Sequence, residues 1–255
     1  MALTDTHCHL DAAEFDTDRD ETVAQAIEAC VTRIVVPAVA ADNFSAVDAI
    51  CARYPLCRRA LGLHPVYAGR HRPEDLARLQ AEIAVARPVA LGEIGLDGWV
   101  KDVDFALQTQ YFVGQLKIAR DFDLPVLLHA RHANDEVMKQ LRRFGIRSGI
   151  VHAFNGSMQQ AESYIRQGFK LGFGGAFTYP RALNLRRLAK QLPLQAIVLE
   201  TDAPDMAPAW LHGQRNAPAQ VAQIAVELAG LREEDDEAIL LAAESNANAI
   251  LGAGV

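Results

Sequence analysis

Short apolar runs that stop at turn signals recur along the chain, and longer stretches between them return apolar residues at helical spacing. The short runs predict strands over 3–9, 34–37, 60–63, 89–93, 126–129, 150–152, 170–173 and 197–201. The longer ones predict helices over 20–29, 43–54, 73–86, 105–122, 135–144, 158–167 and 185–192. Two more, over 219–228 and 237–251, follow a loop marked by Pro204, Pro208 and Pro218. Helix ends carry their own signals: Pro73 suits a first helical position, Ser157 with Gln160 forms a capping-box pattern, and Gly145 and Gly168 suit helix exits. Strand and helix alternating in this way imply a parallel sheet, and eight such units close into a (β/α)8 barrel. An open doubly wound sheet is the rival architecture, but no GxGxxG follows an early strand. No linker breaks the alternation, so 1–255 is read as a single domain.

Composition changes this picture little. Half of the residues are hydrophobic (50%) and 22% are charged, the balance of an ordinary globular chain. A formal net charge of -7 supplies no field for a polyanion, which argues against tight non-specific duplex binding. The pairs Arg58-Arg59, Arg142-Arg143 and Arg186-Arg187 are read as solvated helix ends and loops. The start of the chain lacks a basic, apolar leader, and no run approaches the roughly 18 apolar residues of a membrane span. A cytoplasmic protein with no membrane association and no obligate protein partner is expected. Cys8, Cys30, Cys51 and Cys57 show no CxxC pairing, so reduced, buried thiols are expected.

Candidate chemistry gathers at the carboxyl ends of the predicted strands, which in a parallel barrel open onto one face. Six potential metal ligands fall there: His7, His9, Glu93, His129, His152 and Asp202. His7 and His9, two apart, face the same way while Cys8 points into the core. Alone, an HxH reads as a hydrogen-bonded pair, and His129 or His152 as a satisfied core histidine. Glu93 after the apolar run 88–92 needs a partner if buried, either a cation or a salt bridge. Asp202 either binds metal while accepting the proton of an attacking water or caps the turn into Pro204. Glu200 either shares its orientation or sits deeper. The joint occurrence on one barrel face decides for a metal centre. Two divalent cations on this set keep surplus positive charge, activate water and attract a phosphoryl group. Imidazole mixed with carboxylate suits Zn, Mn, Co or Fe, with Mg the less natural occupant.

Asp5-Thr6-His7-Cys8-His9, Gly62-Leu63-His64-Pro65, Gly92-Glu93-Ile94-Gly95-Leu96-Asp97, His152-Ala153-Phe154-Asn155-Gly156 and Glu200-Thr201-Asp202-Ala203-Pro204 occur in family order. With Arg215-Asn216-Ala217-Pro218 and the late run 246–250, the chain resembles the TatD family of metal-dependent deoxyribonucleases, and within it the YjjV-like members. The resemblance implies an amidohydrolase-type TIM barrel. It places His7, His9 and Asp202 on one metal and His129 and His152 on the other, with Glu93 bridging. It also implies Asp202 as general base, so that Asp202 and Glu93 are the catalytic carboxylates, and His64 as a contact to the scissile phosphate. Ala130 and Ala153 stand where many members carry serine and cysteine, and Gly98-Trp99-Val100 replaces aromatic and basic residues of the nucleases. Arg131 and Tyr179, with His132 and Arg181, are candidate substrate contacts. The expected activity is deoxyribonuclease or phosphodiesterase action on single strands or 3′ ends. The alternatives are hydrolysis of a small phosphate ester, lactone, amide or aminoacyl ester, or a non-catalytic barrel that keeps its metals for stability.

Overall fold

In the computed structural model, which describes residues 2–253, the alternation is realised throughout. The strands are β1 (Leu3–Asp5), β2 (Val31–Pro37), β3 (Cys57–Leu61), β4 (Ala90–Asp97), β5 (Val126–Arg131), β6 (Gly149–Val151), β7 (Phe169–Phe173) and β8 (Ile197–Leu199). Between them run α1 (Arg19–Glu28), α2 (Phe44–Arg53), α3 (Pro73–Val85), α4 (Phe105–Asp121), α5 (Asn134–Phe144), α6 (Met158–Arg166) and α7 (Leu183–Gln191); α8 (Gln220–Arg232) and α9 (Asp236–Leu251) follow β8. The strands pair in parallel in chain order from β1 to β8. The seam is sewn by residues just beyond the first and last strands. The Thr6 amide donates to the Leu199 carbonyl (3.1 Å), Asp202 to His7 (2.9 Å) and His9 to Ala203 (2.8 Å). The expected barrel is therefore observed.

Side-chain alternation sorts the strands into two cores. Val35, Ala60, Ala90, Leu127, Ile150 and Val198 fill the barrel interior, where Ala247 and Leu251 of α9 pack against them. Their neighbours, including Ile34, Leu61, Leu91, Leu128 and Val151, join the core shared with the helices. α9 is fixed to the amino-terminal ends of the strands by polar contacts. Asn246 Nδ2 donates to the carbonyls of Leu194 (2.8 Å) and Ile197 (2.7 Å), and Arg33 donates to Asn248 Oδ1 (2.8 Å) and the Gly252 carbonyl (2.7 Å). One end is stoppered, and the other stays open.

The local signals at helix ends hold. Pro73 opens α3, Ser157 and Gln160 exchange both capping bonds, and Gly145 and Gly168 leave their helices at positive φ (71° and 97°). Strand limits differ from expectation where side chains compete for backbone amides. β1 stops at Asp5 rather than residue 9, and β8 at Leu199 rather than 201, because Asp5 Oδ1 accepts the amides of both His7 (3.2 Å) and Thr201 (2.9 Å). β4 runs on to Asp97 through a bulge: Leu91 pairs with Val126 but Ile94 with Leu128, so three steps on β4 match two on β5. Cysteine burial is only partly as expected, since Cys8 and Cys57 are buried but Cys30 is exposed in the turn after α1.

Candidate metal centre

Each predicted ligand reaches the open mouth by a different local device. Cys8, buried between His7 and His9, donates its amide to Val35, which leaves both imidazoles facing the same space with Nε2 atoms 3.4 Å apart. The β4 bulge carries Glu93 into the barrel axis. Two residues on, Gly95 (φ 148°) lies so close to β5 that a Cβ would sit 1.9 Å from the His129 carbonyl oxygen, so only glycine lets the two strands meet there. Asp202 follows β8 in a left-handed conformation (φ 56°), His152 follows β6, and His64 follows β3.

Glu93 stands at the middle of the assembly. Its Oε2 is 3.1 Å from His7 Nε2 and 3.8 Å from His9 Nε2, while Oε1 is 3.0 Å from His129 Nδ1 and 3.2 Å from His64 Nε2. Asp202 Oδ1 lies 3.8 and 3.7 Å from Nε2 of His7 and His9, and Oδ2 lies 3.6 Å from His152 Nε2. The His7 and His152 rings stack with centroids 3.6 Å apart. Donor atoms of His7, His9 and Asp202, of His7, Glu93 and His152, and of His64, Glu93 and His129 each fall within 4.8 Å of one another. All six residues singled out in the sequence meet here, and His64 joins them.

The packing perturbs their protonation. Burial alone would lower His129, but the Asp97 and Glu93 carboxylates outweigh it and raise its pKa to about 9. Burial opposes ionisation of Glu93 as well, yet the surrounding His64 and His7 hold its carboxyl well below the usual range. His7 and His64 are lowered, chiefly by burial. Burial works against His152 too, but Glu200 and Asp202 carry it well above the ordinary imidazole value.

The arrangement fits divalent cations. Imidazoles stacked face to face and buried, with His7 Nδ1 lacking any hydrogen-bond partner, form a poor set on their own terms. Neutral imidazole mixed with carboxylate around a shared centre is a donor set for Zn, Mn, Co or Fe.

Behind the cluster lies a supporting layer that the strand-end argument did not identify. His129 Nε2 is 2.9 Å from Asp97 Oδ2, and Asp97 Oδ1 accepts the amides of Trp99 (2.8 Å) and Val100 (3.0 Å). Glu200 is buried, 3.1 Å from His152 Nδ1, and accepts the Ala153 amide (2.6 Å), which settles it as the deeper structural acid. Thr201 Oγ1 lies 2.6 Å from Asp5 Oδ2, and burial pushes the Asp5 carboxyl up to about 8. Asn216 Nδ2 donates to the carbonyls of Thr201 (2.8 Å) and Asp205 (2.9 Å), holding the Asp202 loop. Period-two spacing from Glu93 would have found Asp97, whereas Asn216 is marked only by the Arg215-Asn216-Ala217-Pro218 run.

A cavity of about 1430 Å³ opens over the cluster and is lined by His9, His64, Glu93, His129, His152 and Asp202. Arg131 and His132 line it as well. Tyr179, expected as a substrate contact, is not in its lining: the Tyr179 hydroxyl donates to the Ala207 carbonyl (3.0 Å) and lies 3.3 Å from His212 Nδ1. The segment turns outward because Thr178 is tied to Gly175 and Ala209, which makes Tyr179 a clamp on the loop after β8.

A parallel barrel with buried imidazoles and carboxylates converging at its open mouth defines the class of metal-dependent hydrolases. Residues 4–252 match the family described as TatD related DNase. The metal-dependent hydrolase YjjV of Escherichia coli is 42% identical over 245 residues, covering 95% of each chain. The 3'-5' ssDNA/RNA exonuclease TatD of Cronobacter sakazakii is 32% identical, covering 96% of each. The crystal structure of the E. coli TatD homologue YjjV superposes with a TM-score of 0.95 over 98% of both chains at 40% identity. The chain belongs to the TatD family. No helix among the described residues is long and apolar enough to cross a membrane.

Proposed function

We propose that this protein, acting as one cytoplasmic domain, hydrolyses a phosphate ester with two divalent cations at the barrel mouth. His7, His9 and Asp202 would hold one and His129 and His152 the other, with Glu93 shared between them. The observation that carries this reading is the position of Glu93, one oxygen toward His7 and His9 and the other toward His129 and His64. When bound, the cations polarise the phosphoryl oxygens and bring the pKa of water toward neutrality. Asp202, whose Oδ2 lies 3.6 Å from His152 Nε2, accepts the proton released in the attack and returns it to the leaving-group oxygen. His64, beside Glu93, offers a donor to the scissile phosphate and orients it. Arg131 adds positive charge at the cavity wall.

The family description and the printed activity of the Cronobacter relative support single-stranded DNA or a 3′ end as substrate. One observation favours a shorter ester: Asp11, Glu14, Asp135, Glu136 and Asp205 line the same cavity, and a polynucleotide needs a basic track beyond the pocket. Purified protein loaded in turn with Mg, Mn, Co, Zn or Fe and offered end-labelled DNA, bis(p-nitrophenyl) phosphate and a panel of carboxylic esters, lactones and amides tests both. Phosphodiester cleavage that falls at least about 100-fold in Asp202→Asn is the expected result. Unchanged turnover in that variant, or a carbonyl ester outpacing every phosphodiester, would overturn the proposal.

A further inference from the structure

The ladder between β3 and β4 pairs Ala60 with Ala90 and Leu61 with Leu91, and beyond it both segments run on toward the open mouth. Backbone groups there need other partners, since a buried amide or carbonyl left unpaired is costly. α4 supplies them through Gln108 and Gln115, which are 1% and 0% exposed. Gln115 Oε1 accepts the Leu63 amide (2.7 Å) while its Nε2 donates to the Leu63 carbonyl (3.0 Å). Gln108 does the same for Asp97, accepting its amide (2.8 Å) and donating to its carbonyl (3.1 Å). Each side chain thus stands in for a missing strand neighbour. Seven positions apart, the two lie two turns apart on one face of α4. Tyr111, between them, meets the His71 ring edge-on with centroids 5.2 Å apart, and His71 Nε2 lies 2.9 Å from the His64 carbonyl oxygen.

Both residues held in this way lead to the same oxygen, Glu93 Oε1. Leu63 precedes His64, whose Nε2 is 3.2 Å from it. Asp97 Oδ2 lies 2.9 Å from His129 Nε2, and His129 Nδ1 is 3.0 Å from Glu93 Oε1. The Oε2 side is built differently: it faces His7, whose amide is held by Asp5, and Asp5 also holds Thr201 across the seam. The centre therefore has two halves with separate supports. We infer that α4 positions the Oε1 half, with Gln108 fixing Asp97 and through it the His129 ring, and Gln115 fixing His64. Neither glutamine lines the cavity, so both are positioning residues rather than catalytic ones. The inference rests on the metal-centre reading above and assigns the helix that holds half of that centre in place.

Gln108→Met and Gln115→Met keep the side-chain volume and each remove two bonds to the backbone from the same helix, so a merely structural role makes their effects alike. A crossed pattern is expected instead. In full-length protein carrying 15N-histidine, Gln108→Met should shift the His129 ring nitrogens more than those of His64, and Gln115→Met the reverse, with His7 moved least in both. Zinc affinity, measured by chelator competition, should fall about tenfold in Gln108→Met, whose loss loosens the carboxylate behind a ligand, and stay within twofold in Gln115→Met. Equal shifts at the two rings in both variants, or zinc affinity lowered alike in both, overturns the inference. Where a methionine variant does not fold, Gln108→Glu or Gln115→Glu, which keeps the bond from the amide and loses the one to the carbonyl, carries the same comparison. The ring signals are read with and without zinc. Rings that ignore zinc altogether would sink the metal-centre reading, whereas the crossed shifts, present in the metal-free protein too, would still establish what α4 holds.

Discussion

Asp97 shows how much a single side chain behind the cluster controls. It accepts two amides through one oxygen and faces His129 through the other, and a carboxylate in that position fixes the tautomer and raises the basicity of the ring. Asp97→Asn is expected to weaken Zn or Mn binding by about 10- to 100-fold, measured by competition with a chromophoric chelator; affinity within twofold of the parent would refute that role. The same pair predicts a pH dependence. With its pKa raised from the ordinary 6.5 to about 9, His129 stabilises the metal-free fold fully below pH 6.5, and this contribution is lost as pH rises through about 9. A cation must expel that proton, so metal binding strengthens over the same interval, by as much as about 1.4 kcal/mol per pH unit for one proton. The Tm gain on adding Mn should therefore widen between pH 6.5 and pH 9, as followed by thermal melts with and without chelator. A constant or shrinking gain contradicts it. At this scale the sequence was legible for the candidate cluster, because His129 and His152 follow apolar runs, His7 and His9 stand two apart, and Asp202 ends the last strand-like segment. It marked Asn216 only through the Arg215-Asn216-Ala217-Pro218 run and gave no hint of its role, which depends on two carbonyls that only the folded loop brings near it.

At the level of elements, the open and closed ends of the barrel obey different rules. The closed end is a hydrogen-bonded stopper, with Asn246 satisfying the Leu194 and Ile197 carbonyls beneath the interior core. Asn246→Ala leaves both buried acceptors unpaired and should cost about 1–3 kcal/mol in urea unfolding, while metal affinity, decided at the far end, stays within twofold. A loss of metal binding as large as the loss of stability would show the two ends to be coupled. Strand order, helix order and the capping residues were readable because they depend on local periodicity and on local side-chain-to-backbone bonds. The limits of β1, β4 and β8 were not. β1 and β8 stop early because Asp5, distant in sequence from Thr201, captures amides from both sides of the seam. β4 overshoots because a bulge shifts its register between Leu91 and Ile94, and that shift, invisible to alternation, turns Glu93 inward.

Considered whole, the molecule is acidic, and besides the candidate ligands Asp11, Glu14, Asp135, Glu136 and Asp205 line its cavity. The net charge of -7 includes Glu14 and Asp205 on the cavity wall. Glu14→Gln combined with Asp205→Asn should raise kcat/KM toward an anionic phosphodiester about two- to fivefold at low ionic strength, an advantage that shrinks as salt screens the mouth. A salt-independent change, or a fall, would show that these carboxylates contact the substrate directly. The uneven charge was hidden in the sequence, since Glu14, Asp135 and Asp205 belong to three separate loops or helix starts. The seam between the first and last strands has its own consequence for how the chain is made. On the ribosome β1 must wait for residues 199–203, nearly two hundred positions later, before its free edge is covered, and α9 follows them. Throughout elongation the nascent sheet keeps an unpaired border of the kind that recruits neighbouring chains. A nascent chain of this fold therefore carries that border uncovered until β8 has been made.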